Sequence, residues 1–438
     1  MYSFMAMLIT TLGPSPINIK MATMAKTALA GLALLQLATG YSPSDIRTDP
    51  LTAGPPLEIV HYFGGQWPTG IAVSATGRKF ACYPASLDIM NTYNGLNNVV
   101  QVQELTGIDT ETPYPNRTYN QSPGGAVNRL SLPAVTKGDP NHLLGVQSVV
   151  IDSRDTLWIL DTGRVQDLTN LASPMLPATV PGGPKLINID LTTNQIVNTI
   201  IFTSDLVKPA SYLNDVRIDC ARNAAYLTDS SLEGDNAIVY VDITTGKGTR
   251  MPFKETKAIY GSVPFVYGEP MYQVASAAQA LKPGYITFGA DGIAISPDMN
   301  TLYFSVIGGR FLYSVPTAAL RGGDFNAAQR QVNNLGEKGI SDGMESDSNG
   351  IVYAGNVEQD AISMYNPLTT FATVFVRDPR INWVDTMSIA TDWYLYFTVN
   401  QLNYLNAIYP GQGLPLLDRR KKPYVAFRVK LPNGGQKI

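Results

Sequence analysis

The sequence predicts an all-β fold, a six-bladed β-propeller with long loop insertions between its strands. The 438-residue chain contains 38 glycines and 30 prolines and is only 15% charged, a composition that favours strands and turns over helices. A hairpin pattern recurs six times along the chain, and further strand-like runs follow most of its copies. Each unit is therefore predicted to be a four-stranded meander, which is the blade of a propeller.

The clearest copy of the hairpin consists of two apolar segments, Val146–Ile151 and Thr156–Leu160, joined by a polar turn. The six copies in chain order are GIAVSATGRKFACY, VVIDSRDTLWIL, VRIDCARNAAYL, GIAISPDMNTLYF, GMESDSNGIVYA and MSIATDWYLYF. Each copy carries an aromatic residue in its second strand, at positions 80, 158, 226, 303, 353 and 396. The steps of 43 to 78 residues between these aromatics are expected for blades of about 45 residues that insertions enlarge.

The remaining strands of the blades are predicted from apolar runs that follow the hairpins. They are Val99–Leu105, Lys185–Asp190, Gln195–Phe202, Ala237–Asp242, Phe311–Val315, Ala361–Tyr365, Ala372–Val376 and Tyr424–Leu431. Leu57–Tyr62 precedes the first hairpin, and we expect it to close the ring as the outer strand of the blade that contains Tyr424–Leu431. The predicted insertions are Thr106–Leu144, Val165–Pro184, Pro252–Gly289 and Gln401–Pro423, and one helix is predicted at Val274–Leu281.

Residues 1–40 are predicted to be an N-terminal targeting segment, and residues 41–438 the propeller. Lys26 precedes an apolar run, Ala28–Ala38, and a small-x-small cleavage pattern ends at Gly40, so a signal peptide is expected at about residues 21–40. The run is too short for a stable membrane span. The sequence leaves open whether translation starts at Met1, Met21 or Met24.

Two adjacent sequons predict glycosylation at Asn116 and Asn120, in agreement with secretion to the extracellular space. The net charge of −3 gives no reason to expect nucleic acid or an anionic membrane as a partner. Two cysteines, Cys82 and Cys220, fall in non-adjacent predicted blades, so they are expected to be free thiols. No glycine-rich phosphate loop and no histidine cluster is present, so no cofactor is expected. Of the two histidines, only His142 is placed where a Ser-His-Asp triad would need it, and a loop histidine is the simpler interpretation.

Polar residues at the ends of the hairpin strands predict a small-molecule site at one mouth of the central channel. In an antiparallel hairpin, the start of the first strand and the end of the second lie at the same edge. The strand starts carry Gln147, Asn214, Asp215, Asp291, Asp342, Asp385 and Thr386, and the strand ends carry Tyr83, Asp161, Asp229, Asn356 and Asn400. Such a concave ring of carboxylates and amides is typical of a ligand site.

The predicted catalytic residues are Asp161, Asp229, Asp342 and Asp385, as general acids or bases. The predicted ligand-binding residues are Asn214, Thr386, Asn400, Asn356, Tyr83 and Gln147. An alternative holds for each member of the ring, because Asp and Asn after a strand often cap the following turn, as in Asp161-Thr162-Gly163.

At these segments the chain resembles the Yellow and major royal jelly protein family, in the form found in fungi and bacteria. The segments are QWPTGIAVSATGRKF, SVVIDSRDTLWILDTGR, DGIAISPDMNTLYFSVIGGRFLYSVPTAAL, SDGMESDSNGIVYAGNVEQDAI and WVDTMSIATDWYLYFTVNQLN. The resemblance implies a secreted six-bladed propeller whose relatives bind biogenic amines or sterols, or take part in the conversion of quinoid catechol products. It also implies ligand contacts around Asp385-Thr386 and Thr398–Asn400. One departure is that Arg154 and Asp155 stand where insect members have a cysteine that pairs with the counterpart of Cys220.

A more distant resemblance is to gluconolactonase-type propellers, through YLNDVRID and SDGMESD. It implies Asn214 and Asp342 as ligands of a calcium-type ion, but the glutamate of the first blade in that family has no counterpart in QWPTGIAV. The function predicted from the sequence is therefore a cofactor-independent isomerase, tautomerase or cyclase that acts on a small aromatic, quinoid or polyketide-like compound. The alternatives are a protein that only binds an amine, sterol or polyketide, and a metal-dependent lactonase.

Overall fold

Six four-stranded antiparallel sheets form a ring in the computed structural model, which is the six-bladed β-propeller that the sequence predicts. The structure describes residues 51–167, 176–266, 269–274, 283–405, 408 and 418–438. Within these ranges no helix has the length and apolar character that a membrane crossing requires.

The two inner strands of each blade are the predicted hairpins. The innermost strands are Ile71–Val73, Val146–Ile151, Leu213–Asp219, Ala290–Ile295, Met344–Ser346 and Val384–Ile389. The second strands are Lys79–Cys82, Leu157–Asp161, Ala224–Asp229, Thr301–Val306, Val352–Asn356 and Tyr394–Val399. Each innermost strand packs beside the innermost strands of both adjacent blades, so the six strands line a central channel.

The two outer strands complete each meander. The third strands are Val102–Leu105, Lys185–Asp190, Ala237–Asp242, Phe311–Pro316, Ala361–Asn366 and Tyr424–Lys430. The outermost strands are Glu111–Pro113, Gln195–Ile201, Gly248–Met251, Asn333–Glu337, Phe371–Arg377 and Glu58–Phe63. The inner strands read as apolar runs because they are covered on both faces; all five residues of Leu157–Asp161, for example, are buried.

The ring closes between the two ends of the described chain. Glu58–Phe63 pairs antiparallel with Tyr424–Lys430, with Ile59 opposite Phe427. The sixth blade therefore takes its outermost strand from the beginning of the chain and its other three strands from the end. This confirms the closure predicted from the apolar run at residues 57–62.

The long insertions lie on the face of the ring where the innermost strands start. Strand direction alternates within a blade, so the connections from second to third strand, and from one blade to the next, all belong to that face. Three two-stranded ribbons occur there: Val127–Asn128 with Val135–Thr136, Phe265–Val266 with Glu269–Pro270, and Gln273–Val274 with Pro283–Gly284. Of the predicted helix Val274–Leu281, residues 275–281 lie outside the described residues.

The described residues contain two short α-helices, Thr317–Gly322 and Phe325–Gln329, that the sequence analysis does not predict. Both lie in the fourth blade, between its third and fourth strands, on the face opposite to the insertions. The second begins at Asp324, whose side chain accepts a hydrogen bond from the backbone amide of Ala327.

An apolar cluster joins the insertions to the strand-start face. Phe288 and Ile286 come from the insertion before the fourth blade, and Leu405 and Ile408 come from the insertion within the sixth. These side chains pack with Trp383, and all are buried. The mouth of the channel where the inner strands start is thus covered by apolar side chains.

Candidate active site

Two glycines bring the starts of three neighbouring inner strands into direct contact. A Cβ atom at Gly292 would lie 2.3 Å from the backbone oxygen of Asp342, and one at Gly343 would lie 1.9 Å from the backbone oxygen of Asp385. Only glycine fits at such distances. Because each glycine directly follows an aspartate, the close packing draws the side chains of Asp291, Asp342 and Asp385 together.

These three residues are called the strand-start cluster below. Each carboxyl group accepts one short hydrogen bond of 2.6 Å from a nitrogen: Asp291 from the Asn214 amide, Asp342 from the Trp383 indole, and Asp385 from the Asn400 amide. The contact between Asp291 and Asp342 lowers the pKa of Asp291 and raises the pKa of Asp342, so a shared proton is favoured on Asp342. All three aspartates are buried, whereas Asn214 is partly exposed.

The electrostatics of the strand-start cluster favour protonated carboxyl groups. None of the three forms an ion pair with a described residue, in contrast to the ring members Asp161, Asp215 and Asp229. Burial raises the pKa of Asp291 to about 7. Burial, together with the neighbouring Asp291, holds the pKa of Asp342 well above its usual range. Burial and the nearby Asp342 do the same for the pKa of Asp385.

The fourth aspartate at the strand starts, Asp215, has a different environment. Its carboxylate accepts a hydrogen bond of 2.9 Å from Arg217 and one of 2.6 Å from the Ser148 hydroxyl. The Arg217 guanidinium also bonds the backbone oxygen of Met344 and lies 3.5 Å from the Glu345 carboxylate, so it crosses the channel from the third blade to the fifth. Asp215 therefore has a cation partner that the strand-start cluster lacks.

Two predicted catalytic residues, Asp161 and Asp229, form what we call the strand-end pair. Asp161 is fully buried, lies 2.9 Å from the Lys185 ammonium and accepts hydrogen bonds from the backbone amides of Leu144, Gly145 and Gly163. These contacts agree with the turn-capping alternative. Both carboxylate oxygens of Asp161 are engaged by these partners, and Asp161 does not contact the strand-start cluster.

Asp229 is held in a similar way. Its carboxylate lies 2.8 Å from the Arg250 guanidinium and accepts hydrogen bonds from the backbone amides of Tyr212 and Ser231. Burial raises the pKa of Asp229, and the Arg250 charge opposes that rise. Asp229 therefore anchors the loop that carries Tyr212.

The predicted ligand-binding residues separate into two groups. Asn214, Asn400 and Thr386 contact the strand-start cluster, with the Thr386 hydroxyl 3.3 Å from Asp385. Tyr83 does not, because its hydroxyl donates to Glu111 at 2.8 Å within the first blade. Asn356 donates to the Ser363 hydroxyl at 3.2 Å, and its side-chain oxygen has no partner among the described residues.

Gln147 leads from the channel to an open cleft. Its side-chain oxygen accepts a hydrogen bond of 2.6 Å from the Tyr212 hydroxyl, which is also 2.5 Å from the Ser86 hydroxyl. Tyr212 lines a cleft that is open to solvent on the strand-start face. Burial raises the pKa of the Tyr212 hydroxyl, and the charges of Asp291 and Asp385 add to that rise, although the aspartates themselves do not line the cleft.

The cleft is mainly apolar, with one ion pair at its wall. The apolar side chains that line the cleft are Leu87, Leu176, Leu232, Phe288, Leu405 and Ile408. The polar wall contains Arg164 and Glu233, whose charged groups are 2.8 Å apart. The cleft suits a small molecule with an apolar body and one or two polar groups.

Four functional candidates were missed by the sequence analysis: Trp383, Tyr212, Arg217 and Lys338. Trp383 and Tyr212 reach the site from loops, and Arg217 reaches it across the channel. Trp383 has a backbone φ of +67°, an uncommon conformation for a tryptophan that often marks functional sites. Lys338 is a buried lysine on the segment that leads to Asp342. In the sequence, the only indication of a functional role for Lys338 is that it lies close to Asp342.

Metal and thiol chemistry have no assembled site in the described part of the chain. No group of three or more His, Cys, Asp or Glu side chains there is arranged to hold a metal ion. This finding does not cover amide oxygens such as that of Asn214, so the calcium alternative at Asn214 and Asp342 stays untested. Cys82 and Cys220 are both free and buried, and burial raises the pKa of Cys82 to about 12. His142 pairs with Asp139 at 2.9 Å, which agrees with the loop interpretation.

The two predicted glycosylation sites differ in the structure. Asn116 is exposed, so a glycan there stays a prediction. Asn120 is fully buried; its oxygen accepts from the amides of Gln101 and Val102, and its nitrogen donates to Tyr114. A glycan on Asn120 would require these bonds to break, so the structure disfavours Asn120 relative to Asn116, and glycosylation at either position stays a prediction.

Comparison with known proteins identifies similar chains. A family model described as major royal jelly protein matches residues 144–408, more than half of the chain. Major royal jelly protein 1 of Apis mellifera is 24% identical over 336 residues, covering 70% of this chain and 68% of that protein. Major royal jelly protein 5 of Apis mellifera is 25% identical over 237 residues, covering 52% of this chain and 36% of that protein. The match thus spans about two thirds of the first relative's length and about a third of the second's.

Among solved structures, a luciferin-regenerating enzyme matches with a TM-score of 0.49 and 10% identity, covering 88% of this chain and 98% of that chain. A gluconolactonase from Xanthomonas campestris matches with a TM-score of 0.45 and 10% identity, covering 88% of this chain and 99% of that chain. At this degree of similarity, neither structure carries an argument about this protein.

Proposed function

The chain belongs to the major royal jelly protein family, and we propose that it is a cofactor-independent enzyme of the isomerase, tautomerase or cyclase type. It acts on a small organic molecule at the strand-start mouth of the channel. The observation that carries this proposal is the strand-start cluster, three buried carboxyl groups that form no ion pair with a described residue. Carboxyl groups whose pKa lies near neutrality transfer protons efficiently at neutral pH.

The roles within the cluster follow from the direction of each pKa shift. Asp291, with a pKa raised to about 7, loses its proton first and serves as the general base. Asp342 keeps its proton and serves as the general acid. A C–H proton adjacent to a carbonyl or quinoid group passes to Asp291, and Asp342 returns a proton at another atom, so the substrate is isomerised without any change in its oxidation state. The rate is expected to rise with pH through about 7, as Asp291 ionises.

The remaining polar groups position the substrate. The Asn214 amide and the Asn400 amide hold the carboxyl groups in place through bonds of 2.6 Å. Tyr212 lines the cleft, and its hydroxyl, which donates to Gln147, fixes that amide beside the cleft wall. The apolar lining of the cleft favours an aromatic, quinoid or polyketide-like body.

A solvent-exchange assay tests proton transfer without knowledge of the final product. The purified protein is incubated in deuterated buffer with a panel of quinoid catechol derivatives and polyketide-like diketones, and deuterium uptake is followed by mass spectrometry. We expect protein-dependent uptake at one carbon of at least one substrate class, and its loss in Asp342→Asn and Asp385→Asn. Uptake that stays at the buffer rate for the whole panel would contradict the proposal.

A second candidate function is binding of an organic amine without catalysis. The observation in its favour is the same lack of cation partners, because an ammonium group in the channel would neutralise the strand-start cluster. Calorimetric titration with aromatic amines separates the two. Amine binding that is abolished by Asp385→Asn, with no deuterium uptake by the amine in deuterated buffer, would favour the amine carrier over the enzyme.

Secretion belongs to the proposal as well. It is supported by the apolar run after Lys26 and by the exposed sequon at Asn116. Expression in a eukaryotic secretory host, followed by N-terminal sequencing of the protein in the medium, tests it. A mature terminus near Tyr41 is the expected result.

A further inference from the structure

Two lysines are buried among the described residues, and their environments differ. Lys185 has no exposed surface; its ammonium lies 2.9 Å from the Asp161 carboxylate and also donates to the backbone oxygens of Asp139 and Gly183. Lys338 is 3% exposed, and its nitrogen contacts two neutral acceptors, the backbone oxygen of Gly339 at 3.1 Å and the Ser341 hydroxyl at 2.5 Å. A lysine with only neutral acceptors lacks the partner that a buried ammonium needs.

Lys338 lies on the segment that leads into the strand-start cluster, and its amine contacts the hydroxyl of Ser341, the residue before Asp342. It lies on the connection between the outermost strand of the fourth blade and the innermost strand of the fifth, on the strand-start face. The same connection carries Ser341 and Asp342, and the charge of Asp291 acts on the Lys338 amine. The adjacent Gly339 packs against the Asn356 amide, whose oxygen has no partner among the described residues.

The protonation state fits this geometry. Burial lowers the pKa of Lys338 to about 7, although the charge of Asp291 opposes that shift. A substantial fraction of the amine is therefore neutral at neutral pH. A neutral amine next to acid groups has the composition of a site that condenses with carbonyl compounds.

We propose that Lys338 is a nucleophile that forms an imine with a ketone or aldehyde carbonyl of the substrate. The amine nitrogen attacks the carbonyl carbon, the carbon–oxygen bond breaks, and the oxygen leaves as water with the two amine protons. No oxidant or reductant takes part. Asp342 gives its proton to the imine nitrogen, and the protonated imine acidifies the neighbouring C–H bond. Asp291 accepts the C–H proton and returns it at another atom. Water then hydrolyses the imine, which restores the Lys338 amine and the Asp342 proton and releases the product. This inference rests on the proposed function, and it specifies the substrate as a carbonyl compound.

A chemical probe tests the lysine independently of the natural substrate. The folded wild-type protein is treated with 2,4-pentanedione, a neutral diketone that condenses with neutral amines, and modified lysines are mapped by peptide mass spectrometry. We expect Lys338 to react at least tenfold faster than Lys185, the matched buried lysine with an ion-pair partner. Modification of the exposed lysines with none at Lys338 would overturn the proposal.

Variants distinguish this inference from the proton-transfer proposal. In Lys338→Arg, with folding checked by circular dichroism, we expect loss of the adduct and an at least hundredfold fall in deuterium uptake. Ser341→Ala leaves the amine in place and should still form the adduct, which guards against a folding artefact. If Asp342→Asn abolishes uptake while Lys338→Arg retains it, the proton-transfer proposal stands and the imine falls. If Lys338 forms the adduct but no substrate exchanges, the reactive amine stands and proton transfer falls.

Discussion

The strand-end pair and the strand-start cluster occupy the same mouth of the propeller and consist of the same residue type, yet they differ in their partners. Asp161 and Asp229 each meet a cation, Lys185 or Arg250, that comes from an outer strand of their own blade. The strand-start cluster faces the channel axis, where its nearest neighbours are the starts of other inner strands that also carry aspartate. A cation partner within reach, rather than burial, distinguishes the two groups, and Asp215, which lies at a strand start but pairs with Arg217, resembles the strand-end pair in this respect.

The largest expected effect is on activity, and it tests directly whether the strand-start cluster and the strand-end pair differ in role. Asp342→Asn removes the general acid, and we expect deuterium uptake to fall by about 10²- to 10⁴-fold, the usual contribution of acid–base catalysis. Asp229→Asn, which keeps the hydrogen-bond acceptor for Tyr212 and Ser231, should retain uptake within a few-fold in the folded fraction. Equal losses in the two variants would show that the two groups do not differ in role.

At the strand-end pair, the expected effect of substitution is on stability rather than on activity. Asp161→Ala leaves the Lys185 ammonium buried without its carboxylate partner, so we expect the free energy of unfolding to fall by about 3–5 kcal/mol. Urea denaturation followed by tryptophan fluorescence measures this change. Asp385→Asn is the comparison variant, and a loss as large as that of Asp161→Ala would contradict the assignment.

The pH dependence of stability sharpens the contrast. A carboxyl group whose pKa is higher in the folded than in the unfolded protein binds its proton more tightly when folded, so its contribution to stability falls as pH rises. For Asp291 this fall extends from about pH 4 to about pH 7 and amounts to roughly 1–4 kcal/mol. Asp291→Asn cannot titrate, so the variant should gain stability relative to wild type as pH increases through this window. If the difference in unfolding free energy between Asp291→Asn and wild type does not change with pH, the raised pKa of Asp291 is refuted.

The smallest expected effect concerns Trp383. Its indole N–H stabilises the ionised form of Asp342, so Trp383→Phe should raise the pKa of Asp342 further and move the alkaline limb of the activity profile upward. The lost hydrogen bond costs about 1 kcal/mol in stability. Trp393 is a matched control, because it also has a positive φ, of +66°, but is 48% exposed and outside the site. Trp393→Phe should leave the profile unchanged.

Local patterns account for what the sequence predicts of the fold. The hairpins have apolar periodicity within a dozen residues, and their direction alone places Asp342, Asp385, Asn214 and Asn400 at one mouth. What separates Asp161 from Asp385 is not local, because Lys185 arrives 24 residues after Asp161 and only strand pairing brings the two together. Lys338 is likewise ordinary in sequence, and only burial in the folded ring gives its amine an unusual environment. Roles that depend on distant partners could not be predicted.

The pairing of Glu58–Phe63 with Tyr424–Lys430 has a consequence for how the protein is made on the ribosome. The first strand has no partner until the last blade has been synthesised, so it emerges with an open hydrogen-bonding edge and waits through most of translation. A premature stop before residue 424 removes Tyr424–Lys430, the strand that pairs with both Glu58–Phe63 and Tyr394–Val399. An unpaired edge strand is a template for pairing with other chains, so we expect such truncated chains to aggregate more readily than chains that contain residues 424–430.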